Sequence, residues 1–210
     1  MIENITINTQ SSIRIEDNKI IRFDPFVIDK DYNDADIIFI THSHYDHLSI
    51  EDLNKVKKED TIFIIPEKEK DKLSNLNIPD NNIIGIIPNQ EYEVLGYKFS
   101  TIPSYNTNKQ FHKKEYNWVG YLIDINNKKY YIAGDTDLTE ENKKVKCDVA
   151  FIPIGGTYTT DYIEAAELVN IIKPSIVVPI HYGSIVGKKE DANRFKELVD
   201  DNIEVDILLK

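Results

Sequence analysis

Apolar and polar residues alternate in short runs at the start of the chain, the period-two pattern of strands with one buried face. "ITIN" at 5–8, "SIRIE" at 12–16 and "KIIRFDPF" at 19–26 read as strands, with "EDNK" as the turn between the last two. "DIIFI" at 36–40 is a β-rich run that leads into "THSHYDHLS". "SIEDLNKVKKED" at 49–60 then predicts a helix, with Ser49 as N-cap and Asp52 three residues on, resembling a capping box. "TIFIIP" predicts a strand and "EKEKDKLSNLN" at 67–77 a helix. "NIIGII", "YEVLGYKFSTIP" and the hairpin "VGYLIDINNKKYYIAGD", turning at "NNKK", form a β-rich middle.

The period lengthens in the last third. "DVAFIPI" reads as a strand, "DYIEAAELVNIIK" as a helix stopped by Pro174, and "SIVVPIHYG" as a strand. "EDANRFKELVDD" reads as a helix and "IEVDILL" as a closing strand. Each half supplies several strands and then helices, too many strands for one doubly wound sheet. Two β-sheets packed face to face, each covered outside by helices, would accommodate this α/β (α+β) pattern. No Pro/Gly/Ser-rich linker and no internal repeat divides the chain, so residues 1–210 read as a single domain.

Composition narrows the setting. No apolar run approaches the roughly 20 residues that span a bilayer. "MIENITINTQ" has neither the basic start nor the apolar stretch of a signal peptide. Cys147 is the sole cysteine, which excludes internal disulfides and fits a reducing, cytoplasmic compartment; beside "DVAFIPI" it reads as a buried packing residue. A formal net charge of −11 disfavours nucleic acid as a partner, because phosphate binding needs a basic surface, and disfavours an anionic membrane equally. "KVKK" and "KKVK" are interleaved with acids and read as solvated faces.

Three of the five histidines fall between positions 42 and 47. In extended backbone, residues i, i+2 and i+4 share a side, so His42, His44 and Asp46 point together, and His47 joins as the chain turns. Imidazoles and a carboxylate at the end of a strand suit zinc, manganese or iron(II). Asp135, after "YYIA" and Gly134, and His181, after "IVVPI", are also delivered by strand ends.

"HSHYDH" matches the H-x-H-x-D-H motif, and the chain resembles the metallo-β-lactamase superfamily of hydrolases. It is most similar to the branch containing ascorbate-6-phosphate lactonase and N-acyl phosphatidylethanolamine phospholipase D. "YYIAGDTD" at 130–137, "IPIGGTYT" at 152–159 and "PIHYGS" at 179–184 follow in the expected order. The resemblance implies a four-layer αββα sandwich with one or two divalent ions, zinc first and manganese or iron(II) as alternatives. It places His42 and His44 on the first ion, Asp46, His47 and His181 on the second, and Asp135 between them. The superfamily's further histidine on the first ion is missing at its usual place, which holds Tyr105-Asn106; the histidine available nearby is His112, with Asn106 or a water as the other candidates.

The expected chemistry is hydrolysis of a small ester, lactone or phosphodiester by a metal-activated, bridging hydroxide. Asp46 and Asp135 are the expected catalytic carboxylates, with Asp46 orienting the attacking water or carrying its proton onward. "GGTYTTD" offers backbone amides to an anionic small-molecule substrate, and Asn106, Tyr158 and Tyr182 are candidate substrate contacts. The competing readings are a nuclease or phosphodiesterase of the same superfamily, a di-iron redox enzyme, and a metal-binding module without catalysis. The redox reading is disfavoured because those relatives carry glutamate where His44 stands. Oligomeric state is not legible.

Overall fold

The computed structural model of the protein describes residues 4–209; the first three residues of "MIENITINTQ" lie outside them, as does Lys210. The chain divides into two compact units, Met1–Ile87 and Pro88–Lys210, each built on one mixed sheet.

In the first unit β1 (Ile5–Ile7), β2 (Ile13–Glu16) and β3 (Ile20–Phe23) pair antiparallel. β4 (Ala35–Phe39), β5 (Lys57–Pro66) and β6 (Ile83–Ile86) then extend the sheet in parallel, in the order β1-β2-β3-β4-β5-β6. β4 and β5 are joined by the helix α1 (Ile50–Val56), whose Leu53 and Val56 pack on Ile38, Ile40, Phe63 and Ile65. Both faces of β4 are buried, which is why "DIIFI" reads as a continuous apolar run rather than an alternating one.

The helix expected over 49–60 stops at Val56, and "KKED" opens β5 instead. Its exposed charges hold no helix in place, whereas Lys57 pairs with Ala35, and the Thr61 hydroxyl donates to the Ala35 carbonyl at 2.6 Å. Ser49 does cap α1, accepting from Asp52 N–H, but the Asp52 carboxylate does not complete a capping box. It accepts from the amides of Val27 and Ile28 at 3.1 and 2.8 Å, tying down the loop after β3. "EKEKDKLSNL" winds as a 3-10 helix, Glu67–Leu76. Its two buried anchors, Leu73 and Leu76, are three residues apart and fall on one edge of a three-residue turn.

The second unit repeats the plan. β7 (Glu91–Val94), β8 (Tyr97–Pro103), β9 (Val119–Ile125) and β10 (Lys128–Ile132) are antiparallel. β11 (Val149–Pro153), β12 (Ile176–Ile180) and β13 (Glu204–Val205) follow in parallel. The β-rich "YEVLGYKFSTIP" forms two strands, because Leu95 and Gly96 both take positive φ and make the two-residue hairpin turn. Asn126 and Asn127 make the same turn between β9 and β10, inside the expected "NNKK".

α2 (Tyr162–Ile172) crosses from β11 to β12, started by an Asp161–Glu164 capping box and ended by Lys173 in the left-handed region before Pro174. Its Leu168 and Val169 are fully buried, worth about 1.5–3 kcal/mol each. α3 (Asp191–Leu198) crosses to β13 and packs Ala192 and Phe195 into the same core. "IEVDILL" pairs only at Glu204–Val205; Ile207 and Leu209 pack against that core without a strand partner. Among the described residues no helix is long and apolar enough to cross a membrane.

Candidate metal centre

In each unit the polar cluster sits at the carboxyl ends of adjacent parallel strands, where backbone leaves a sheet and side chains converge. In the first unit those strands are β3 and β4. β3 ends into Asp24, whose backbone N–H donates to Phe39 at the end of β4. Asp24 is fully buried and in the left-handed region. Its carboxylate accepts from the Thr41 amide at 2.8 Å, the Thr41 hydroxyl at 2.6 Å and His47 Nδ1 at 2.7 Å. Burial pushes the Asp24 carboxyl up from its ordinary value, against the pull of His47 and Thr41.

A proton held on Nδ1 leaves the Nε2 lone pair of His47 as a metal donor. Thr41, having donated its hydroxyl proton to Asp24, accepts from His42 Nδ1 at 3.0 Å and fixes the same tautomer there. His42 Nε2 then lies 3.1 Å from His44 Nδ1. Two nitrogens bound about 2.1 Å from one tetrahedral ion lie roughly 3.4 Å apart, so this pair is spaced as two ligands of one ion. Asp46 is buried, and its Oδ2 is 3.5 Å from His47 Nε2. The sequence offered no link between Asp24 and His47, which are 23 residues apart; only an aspartate ending a strand before proline marked the position.

The second unit contributes Asp135, His112 and His181. Asp135 follows β10 through Gly134, whose φ is +65°, and Ser104 Oγ anchors its carbonyl at 2.8 Å. His181 directly follows β12 and is itself left-handed at φ +55°, a conformation rare for a non-glycine residue and held here in a buried setting. Gly155, after β11 between them, leaves the room His181 needs: a Cβ there would collide with the His181 carbonyl oxygen. His112 comes from the long β8–β9 loop and is buried.

His112 Nε2 and His181 Nε2 are each 3.3 Å from the same oxygen, Asp135 Oδ2. That is longer than the 2.7 Å of the charge-assisted Asp24–His47 bond and equals the spacing of ligands around an ion. The donor set of both units, neutral imidazole nitrogens and carboxylate oxygens, fits a divalent transition metal.

The candidate substrate contacts separate. Asn106 is nearly buried, and its side-chain amide is used by His112, Asp137 and the Tyr158 carbonyl. Tyr158 is half-buried, with its ring edge-on to the half-exposed Phe111 at 4.6 Å between centroids. Tyr182 belongs to the core of the second unit; its hydroxyl donates to the Leu209 carbonyl at 3.3 Å, and burial pushes it up to about 12. In "GGTYTTD" the amides of Gly156, Thr157, Thr160 and Asp161 donate within the protein, and the Thr159 and Thr160 hydroxyls bond nearby carbonyls. Those amides are committed to shaping the turn.

The β-lactamase superfamily domain model matches residues 3–182. A UPF0173 metal-dependent hydrolase of Thermococcus onnurineus is 33% identical over 180 residues, covering 83% of this chain and 79% of that protein. Another, from Pyrococcus horikoshii, is 31% identical over 215 residues, covering 92% of this chain and 91% of its own. The crystal structure of a candidate metal-dependent hydrolase from Parabacteroides distasonis superposes with a TM-score of 0.81 at 30% identity, covering 98% of this chain and 93% of that one. With its two mixed sheets and its His/Asp donor sets, the chain belongs to the metallo-β-lactamase superfamily, in the family of UPF0173 metal-dependent hydrolases.

Proposed function

We propose that the chain is a metal-dependent hydrolase acting as a single functional domain, 1–210, and that the donor set of each unit binds divalent metal. In the first unit His42, His44, Asp46 and His47 would hold metal, and in the second His112, Asp135 and His181 would. The observation that carries this reading is the spacing of 3.3 Å from Asp135 Oδ2 to both His112 and His181, too long for the charge-assisted bond that Asp24 makes. Zinc is the first choice of metal, with manganese or iron(II) suited to the same ligands.

When bound, such ions polarise a scissile carbonyl or phosphoryl group and bring water within reach of ionisation at neutral pH. The chain's own groups do the rest. Asp24 and Thr41 hold the protons of His47 and His42 on Nδ1, so the donor nitrogens stay deprotonated. Asp46, beside His47 Nε2, orients the attacking water and accepts its proton. Phe111 and Tyr158, next to His112, give the substrate's apolar part an aromatic surface. The substrate is a small ester, lactone or phosphodiester, the lactone following the resemblance to the lactonase branch. With Cys147 as its sole cysteine the chain forms no internal disulfide, which suits a cytoplasmic setting.

Elemental analysis of protein purified without added metal tests the reading, with turnover of bis(p-nitrophenyl) phosphate and of a simple lactone in the same preparation. Close to two ions per chain with turnover is expected. The preferred substrate decides between lactonase and phosphodiesterase. No turnover after zinc and manganese are supplied would sink the hydrolase in favour of a non-catalytic metal module.

A further inference from the structure

We infer that Asp137 and Asn106 are positioning residues which bring His112 in from the loop, supplying from residue 112 the nitrogen missing at Tyr105-Asn106. The inference rests on the reading of His112 as a ligand.

Asp137 is 1% exposed, and its carboxylate gathers the loop: it accepts from the Asn106 side-chain amide at 3.0 Å, the Thr107 backbone amide at 2.8 Å and Lys109 Nζ at 2.7 Å. Lys109 offsets the buried charge. Asn106 gives its second amide hydrogen to the Tyr158 carbonyl at 2.8 Å. Both hydrogens are thereby placed, and the amide can present only oxygen to His112. Oδ1 accepts from the His112 backbone N–H at 2.9 Å and from its ring Nδ1 at 3.1 Å, and the Asn106 backbone N–H donates back to the His112 carbonyl at 2.7 Å. The ring is thus held with its proton on Nδ1 and with Nε2 turned to Asp135. A loop segment of seven residues, 106–112, closes on itself around one amide, and the second aspartate of "GDTD" orders it. This is the part that Asp24 and Thr41 play for His47 and His42, made here from a neutral amide backed by a carboxylate.

The test is zinc affinity by chelator competition, together with ¹⁵N-histidine NMR of the zinc-loaded protein to read which ring nitrogen of His112 carries the proton. Thermal melting of the metal-free protein serves as a fold control. Asn106→Leu is expected to weaken one zinc site by about 10- to 100-fold and to lose the Nδ1–H tautomer. Asn106→Asp, which sets a carboxylate against Asp137, should weaken it similarly, and adding Asp137→Asn should regain part of the loss. That rescue is not expected if the residues only stabilise the fold. Wild-type zinc affinity and tautomer in Asn106→Leu and Asn106→Asp, with one zinc equivalent lost in His112→Ala, would overturn the positioning role alone. Full zinc content in His112→Ala would instead remove His112 from the ligand set, and this inference with it.

Discussion

The two units hold their donors by different means. In the first, His42, His44, Asp46 and His47 lie within six residues on the loop after β4, and one neighbouring strand end provides Asp24 to orient them. In the second, Asp135 and His181 stand at the ends of β10 and β12, with β11 between them, and His112 arrives on the β8–β9 loop. The first arrangement depends on short-range backbone geometry and a few buried hydrogen bonds. The second depends on the register of three parallel strands, on the absence of a side chain at Gly155 and on a loop closed by Asn106. A locally encoded donor set is exposed to single changes in its own segment; a dispersed one is exposed to packing faults far from it in sequence.

The largest expected effect strikes both regions alike. His47→Ala and Asp135→Ala should each abolish hydrolysis while the fold survives, measured as turnover alongside thermal melting; wild-type turnover with full metal loading in either would refute the ligand set. The next effect belongs to the first unit. Asp24→Ala removes the acceptor for His47 Nδ1 and should lower metal affinity about 10- to 100-fold, read by chelator competition.

The matching fault in the second unit is Gly155→Ala. The added methyl meets the His181 carbonyl and should cost about 1–3 kcal/mol in denaturant unfolding, with weaker metal retention. An unchanged midpoint would show that the turn yields freely.

Two smaller changes should leave metal content untouched and so mark where each donor set's influence ends. Ser49→Ala deletes the α1 cap just beyond the first ligand segment and should cost about 1 kcal/mol of stability. In the second unit, burial pushes the Cys147 thiol up to about 12. The folded protein therefore keeps a proton that the unfolded chain releases, so this contribution to stability is full below the ordinary thiol value and is lost as pH rises towards 12. Cys147→Ala should flatten the alkaline decline in melting temperature, and a native thiol titrating with a disulfide reagent at pH 8 as fast as in denaturant would contradict the burial.

Period and spacing in the sequence determined most of the strands, the helices α2 and α3, and the histidine segment as a candidate metal site, because those features are set by residues within a turn or two of one another. The end of α1 at Val56, the 3-10 winding of 67–76 and the reduction of "IEVDILL" to two paired residues were decided by strand pairing and packing, which local propensity does not contain. At the site, H-x-H-x-D-H, Asp135 and His181 were legible as candidates from motif and strand ends. The partnership of Asp24 with His47, the delivery of His112 by Asn106 and Asp137, and the placement of Tyr182 in the core needed the tertiary structure. Each joins groups distant in sequence through hydrogen bonds or apolar contacts a few ångströms long, and only the folded path of the chain sets which groups come that close.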